Sequence, residues 1–300
     1  MKRNKKSPKI GLALGSGGAR GLAHIGVIKA LLEANVKIDY LAGVSMGSMI
    51  GAGYAAGMDI RDMESLALKT DWKKLLSLLD PTILTKGMID GSKIEKFVSS
   101  CIGNINFSEA KLPFAVVATD IANKEKIVIS EGRIAKAVRA SISFPFVFAP
   151  YQYDGRVFLD GVLVDPVPVS LVKEMGADYV IAVNTYSELS HCFGGKTEAA
   201  VIKCAEERVV VNNHEAEESG HQSFLSKVNG MLKMPNIAEI GIQSLAVMEK
   251  YLALPELLKA DLIVTPQLSD IKAFEFVHAK EIISRGEDTM LKLLSKKKIC

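Results

Sequence analysis

Two short apolar runs, each broken off by glycines and followed at once by a helical repeat, constrain this 300-residue chain more than any other feature. Residues 9–14 stop at Gly15-Ser16-Gly17-Gly18-Ala19-Arg20-Gly21, and residues 19–34 then space Leu22, Ile25, Val27, Ile28, Leu31 and Leu32 on a mostly helical period. Residues 38–44 repeat the arrangement. They end in Gly43-Val44-Ser45-Met46-Gly47, and residues 46–57 follow as a helix of small residues that lets backbones approach closely. Strand, tight turn and helix, then strand again, make a βαβ unit, whose two strands run parallel because the helix carries the chain back to the same end of the sheet.

The rest of the chain continues the alternation. Helices are expected around 60–79 and 93–101, a strand at 113–120 with 126–130 as its neighbour, and a short helix at 134–141. Residues 144–153 mix aromatics with Pro145 and Pro150 and lead to Asp154-Gly155, a hairpin turn signal, before a strand from 156 that ends at Asp160. A helix at 167–175, a fully apolar strand at 179–183, a long helix at 237–257, a strand at 261–265 and a closing helix at 276–294 complete the reading. The expected fold class is α/β, a three-layer α/β/α arrangement with a largely parallel central sheet. One domain spans 9–295, flanked by basic tails at 1–8 and 296–300. Charges cluster at Glu206, Glu207, Glu215, Glu217 and Glu218, so residues 187–234 read as a helical insertion.

A chain that is 48% hydrophobic and 24% charged can bury a core, which excludes disorder along most of its length. Its net charge of +3 is uneven: without Lys2, Arg3, Lys5, Lys6 and Lys9 it becomes −2. Lys292, Lys296, Lys297 and Lys298 make the other end basic as well. The termini read either as solubilising tails or as a peripheral contact with an anionic membrane. No nucleic-acid partner is expected, and the oligomeric state stays open. The four cysteines, Cys101, Cys192, Cys204 and Cys300, show no C-x-x-C spacing, which suits reduced thiols and a cytoplasmic location, at most peripheral to the inner face of the membrane. There is neither a secretory leader nor a run of about 18 apolar residues long enough to span a bilayer.

Gly43-Val44-Ser45-Met46-Gly47 fits G-x-S-x-G at a strand-to-helix junction, where the flanking positions have no room for Cβ and the serine projects from the turn. Ser45 is therefore the candidate nucleophile, and a tightly packed turn is the other reading. The block from Gly15 to Gly21 lacks the third glycine that a dinucleotide fingerprint needs at Arg20, and no G-x-x-x-x-G-K-[ST] string is present. An oxyanion hole built from the amides of Gly17, Gly18 and Met46 fits better. Arg20 either balances that charge, braces the loop, or is a solvated arginine at a helix start. Asp160-Gly161 places a carboxylate at a strand terminus, as a candidate base or as a plain turn. His191, His214, His221 and His278 follow Asp160 in the chain order of an α/β-hydrolase triad but sit in no convincing motif, and His24 reads as a core hydrogen-bonding residue. Residues 144–151, with Phe146 and Phe148, read as an acyl-site lining or a buried strand. No metal motif such as H-E-x-x-H occurs, and no cofactor is expected.

Four of these stretches, taken together and in this order, resemble the bacterial patatin-like phospholipases: the block from Gly15 to Gly21, Gly43-Val44-Ser45-Met46-Gly47, Ala140-Ser141-Ile142-Ser143-Phe144-Pro145, and Asp160-Gly161. The likeness covers about residues 8–184 and returns weakly from 236 to 294. It implies hydrolysis of acyl esters of glycerolipids by a dyad of Ser45 and Asp160, with a lipid ester as substrate and Ser141, Ser143 and Pro145 shaping the substrate channel. Where many members have a small residue after Asp-Gly, this chain has Val162, and Ser48 follows Gly47. A non-catalytic lipid-binding or regulatory module on the same fold, and a histidine-dependent esterase, are the alternatives.

Overall fold

Burial on both faces turns the apolar runs into strands. The computed structural model describes residues 7–70, 91–186 and 237–296. In it β1 (Ile10–Leu14), β2 (Tyr40–Val44), β3 (Phe114–Asp120), β7 (Tyr179–Val183) and β8 (Leu262–Val264) form the parallel centre of one sheet, in the order β3-β2-β1-β7-β8. Alternate residues face opposite layers, as the pleat requires. Leu12, Leu14, Leu41, Val116, Ile181 and Val183 join one core cluster, and Ala13, Ala42, Val44, Val117, Val180 and Ala182 join the other.

The larger layer holds α1 (Ala23–Glu33), α2 (Met46–Ala55), α3 (Ile60–Lys69), α4 (Ser92–Ile102), α5 (Ile134–Ser141) and α8 (Ala279–Lys296). The opposite layer holds α6 (Val169–Glu174) and the end of α7 (Ile237–Leu257), which contributes Ala253 and Leu257. Helices α1 and α8 pack backbone to backbone: a Cβ on Gly286 would lie 2.2 Å from the Ala23 carbonyl oxygen, and one on Gly26 would lie 2.0 Å from that of Ile283.

Three antiparallel strands finish the sheet: β4 (Glu125–Ile129) and the hairpin of β5 (Tyr151–Tyr153) and β6 (Arg156–Asp160). The hairpin turns at Asp154 and Gly155, both at positive φ (51° and 72°), as the Asp-Gly pair suggested. Strand β3 outruns β2. Val117 pairs with Val44, the last residue of β2, on one edge and with Val128 of β4 on the other. Ala118 still pairs with β4, through Ile127, so its partner Asp160 occupies the edge that β2 has vacated. Strand β6 thus meets β2 end to end.

The expected elements differ from the observed ones mainly where glycine and proline break them. Gly17 (φ 143°) and Gly18 (φ 57°) leave the helical region, so Gly18–Leu22 is a 3-10 turn and α1 starts only at Ala23. A buried strand across 144–150 does not form. Pro145 and Pro150 have no N–H for a ladder, and Phe146 takes φ 68°. The last helix likewise opens with a 3-10 turn, Phe276–His278. The expected insertion at 187–234, residues 71–79 of the second expected helix and most of the basic tails lie outside the described residues. No helix among the described residues is long and apolar enough to cross a membrane.

Candidate active site

Ser45 sits in a backbone conformation that few residues adopt, φ 53° and ψ −121°, at the sharp turn from β2 into α2. The turn can be this tight because the residues two positions away on either side, Gly43 and Gly47, have no side chain. A Cβ on Gly43 would lie 2.4 Å from the Gly47 carbonyl oxygen, and one on Gly47 would lie 2.3 Å from that of Leu14. Such strain is held by its surroundings. The Ser45 amide donates to Ser141 Oγ at 2.9 Å, Ser141 Oγ donates to the Val117 carbonyl at 2.7 Å, and Ser48 Oγ donates to the Ser45 carbonyl at 2.6 Å.

Asp160 ends β6 just beyond the carboxyl end of β2. Ser45 Oγ donates to its Oδ2 at 2.7 Å, and the Val162 amide donates to Oδ1 at 2.9 Å. Its backbone is held too: the amide donates to the Ser143 carbonyl at 3.0 Å, and Thr119 Oγ1 donates to its carbonyl at 2.8 Å. The residue is fully buried. Desolvation pushes its carboxyl up to about 7, against the lowering effect of the Val162 and Ser45 hydrogen bonds. Val162, the residue that departs from the family pattern, is itself buried and supplies one of those bonds.

The glycine loop closes the third side. Ala19 donates its amide to the Ala273 carbonyl at 2.7 Å, Thr185 Oγ1 donates to the Ser16 carbonyl at 2.6 Å, and His24 Nε2 donates to the Gly15 carbonyl at 2.7 Å. Among the described residues, the amides of Gly17, Gly18 and Met46 have no backbone or side-chain acceptor, and all three residues line one cavity with Ser45. Gly17 and Gly18 could not carry side chains, because a Cβ would lie 2.1 Å from Thr185 Oγ1 and 2.2 Å from the Ala273 carbonyl oxygen respectively. Arg20 does not line the cavity among the described residues; its Nε donates to the Ile271 carbonyl at 2.6 Å, which braces the loop. Gly15 and Gly161 pack against backbone, under Val183 and Val117 respectively.

The cavity is otherwise apolar, walled by Met49, Ile142, Phe144, Phe148, Ala246 and Phe276, with Glu249 as a buried acid among them. A surface of this kind accepts a hydrocarbon chain, with Ser45 and the free amides gathered on the wall and the Asp160 carboxylate buried behind the Ser45 hydroxyl. Of the described histidines, His24 is fully buried and pushed down to about 4 by desolvation, and His278 is exposed beside Glu281. Neither hydrogen-bonds Ser45 or Asp160. His191, His214 and His221 lie outside the described residues.

Ser141, Ser143 and Thr119 escaped the reading of the sequence as braces of the two reactive residues. Ser141 and Ser143 belong to the Ala140–Pro145 motif, so a signal existed without its role. Glu249 carried none, being one glutamate on a long helix.

A family model, patatin-like phospholipase, matches residues 12–173, more than half of the chain and the stretch that holds the glycine loop, Ser45, Ser141 and Asp160. The chain belongs to the patatin-like phospholipase family. Among curated relatives in this family's company, an uncharacterized NTE family protein of Mycobacterium bovis is 40% identical over 182 residues, which are 61% of this chain and 50% of that protein. A lysophospholipase of Aspergillus fumigatus is 35% identical over 184 residues (59% of this chain, 12% of that one), and the neuropathy target esterase of Drosophila melanogaster is 32% identical over 186 residues (60% and 13%). The chain thus spans about half the length of the mycobacterial relative and a small part of the other two. Thr185, Glu249, Ile271 and Ala273, which touch the glycine loop, fall beyond the span matched by the patatin-like phospholipase model.

Proposed function

We propose that this patatin-like chain is a serine acyl hydrolase that cleaves fatty-acyl esters of phospholipids, lysophospholipids or related lipids, with Ser45 as nucleophile and Asp160 as its base. The observation that carries the reading is the 2.7 Å hydrogen bond from Ser45 Oγ to a fully buried Asp160 carboxyl. A serine hydroxyl attacks poorly unless its proton is taken as it reacts, and an ordinary aspartate is too weak a base for this near neutrality. Burial corrects that mismatch by raising the Asp160 carboxyl to about 7. The relatives named as esterase and lysophospholipase support the same substrate class.

In this mechanism Ser45 Oγ adds to the ester carbonyl while its proton passes to Asp160 Oδ2. The oxyanion forms against the amides of Gly17, Gly18 and Met46, at the start of α2, where unpaired N–H groups and the helix dipole favour negative charge. Collapse breaks the bond to the alcohol, which leaves with the proton from Asp160. Water then attacks acyl-Ser45, giving a proton to Asp160, and the fatty acid is released as Ser45 recovers it. One oxyanion donor is typically worth about 3–4 kcal/mol in the transition state, so the amides carry at least as much of the rate as the base does.

We place the whole activity in one domain over 9–295, and read the basic termini as the part that meets an anionic membrane surface. The test of function is hydrolysis of a long-chain monoacyl glycerophospholipid by wild type, Ser45→Ala and Asp160→Asn, together with fluorophosphonate labelling. Wild type turns over and is labelled at Ser45; both variants lose at least about three orders of magnitude in turnover. Equal activity in all three rejects the dyad, and an unlabelled, inactive wild type favours the binding-module alternative.

A further inference from the structure

Glu249 stands on α7, outside the span matched by the family model, yet its carboxyl is in the cavity with Ser45 and only 5% of the residue is exposed. Ser16 Oγ donates a hydrogen bond to Glu249 Oε1. Ser16 immediately precedes Gly17 and Gly18, which take φ of 143° and 57°. Glycines have the most conformational freedom to lose, so a loop built from them keeps one geometry only if something outside it holds it. Ala273, Thr185 and Ile271 supply three such ties, to Ala19, Ser16 and Arg20. The tie from Glu249 is the one made by an ionisable side chain that lines the cavity.

We propose that Glu249 is a positioning residue for the oxyanion hole: through Ser16 it holds the Gly17–Gly18 turn where both amides meet the charge forming on the carbonyl attacked by Ser45. The inference rests on the reading of Ser45 as nucleophile. Desolvation holds the Glu249 carboxyl well above the usual carboxylate range and Asp160 pushes it further, while Ser16 and Arg20 act the other way. Burial thus favours the neutral form of the carboxyl that makes this tie. An ionised Glu249 would set a negative charge near Asp160 and the forming oxyanion. Glutamine at this position keeps an acceptor for Ser16 and never ionises.

The experiment measures kcat, KM and fluorophosphonate labelling rate from pH 6 to about pH 10 for the full-length wild type, Glu249→Gln, Glu249→Ala, Ser16→Ala and the Ser16→Ala/Glu249→Ala double variant, on a p-nitrophenyl acyl ester. Glu249→Ala and Ser16→Ala each lower kcat and labelling by on the order of tenfold to a hundredfold, with KM within about threefold of wild type, since a displaced amide weakens only transition-state binding. The double variant is no worse than Glu249→Ala, because both substitutions cut the same tie. Glu249→Gln, which keeps the acceptor for Ser16, returns to within about threefold of wild type. Multiplicative losses in the double variant, an unchanged kcat in folded Glu249→Ala, or a Glu249→Gln that falls as far as Ser16→Ala overturns the proposal. If Glu249→Ala does not fold, Ser16→Ala and Glu249→Gln decide between the same outcomes. A wild type that is neither active nor labelled at Ser45 removes the function and this inference together, whereas a labelled wild type with indifferent variants removes the inference alone.

Discussion

Ser45 Oγ and Asp160 Oδ2 lie 2.7 Å apart although 115 residues separate them in the chain. The contact exists because β3 is longer than β2. The edge left free at Ala118–Asp120 is taken by β6 running in the opposite direction, so the last residues of β2 and β6 face each other across one register step. Ser141, the last residue of α5, and Ser143, two residues beyond it, then hold the amide of each partner, Ser45 through Oγ and Asp160 through the backbone carbonyl. A hydroxyl and a carboxylate are thereby fixed on four backbone supports before any substrate arrives.

Activity should rise with pH through a single ionisation near 7. Asp160 acts as a base only when ionised, and its carboxyl is raised to about 7 by burial. Two pH units below that value kcat/KM should be about a hundredfold lower than at the plateau. His24, held neutral down to about 4, contributes no limb of its own near pH 6.5. A pH–rate profile on a soluble ester checks this; a limb centred near 4, with full activity at pH 5, contradicts the burial argument.

Asp160→Asn should be inactive yet more stable than wild type. The folded carboxyl titrates near 7 and the unfolded one near 3.8, so the native state binds the proton more tightly and folding stability falls as pH rises from about 4 to about 7. Above that window the burial of a charged Asp160 costs on the order of 4 kcal/mol, an upper figure for a group that keeps two hydrogen bonds. Asparagine removes the ionisation. Thermal melting at pH 8 should show the variant several degrees above wild type, with the gap closing toward pH 4. A gap that widens on acidification would have the wrong sign.

Gly286→Ala should damage the fold and leave the chemistry alone. A methyl group there would lie 2.2 Å from the Ala23 carbonyl oxygen, which is backbone and cannot turn aside, so α1 and α8 must separate. The expected loss is about 1–3 kcal/mol or somewhat more, the range for overpacking a tight contact. Denaturant unfolding measures it. The fluorophosphonate labelling rate per folded molecule should stay at the wild-type value, because neither Gly286 nor Ala23 lines the cavity that holds Ser45 and Gly17.

Much of the architecture was legible along the chain. Tyr179–Val183, Ile134–Ser141 and Ile237–Leu257 have the limits expected from their hydrophobic pattern, because a run covered on both sides, or a stripe on one face, announces its period directly. Residues 144–150 failed as a strand for a reason that was also in the sequence, the two prolines. Glu249 was illegible. Nothing in a helix of 21 residues marks the glutamate that lines a cavity until the helix has been docked.

The chain alone determined the glycine-bounded turn that presents Ser45, since a Cβ on Gly43 would come within 2.4 Å of the carbonyl oxygen of Gly47, its near neighbour in the chain. Tertiary structure decided what that serine meets. Which strand fills the vacant edge of β3, how completely Asp160 loses water, and which distant side chain ties the glycine loop all depend on surfaces that exist only after the layers have packed. Steric rules act between neighbours in sequence, whereas desolvation and edge pairing act between neighbours in space.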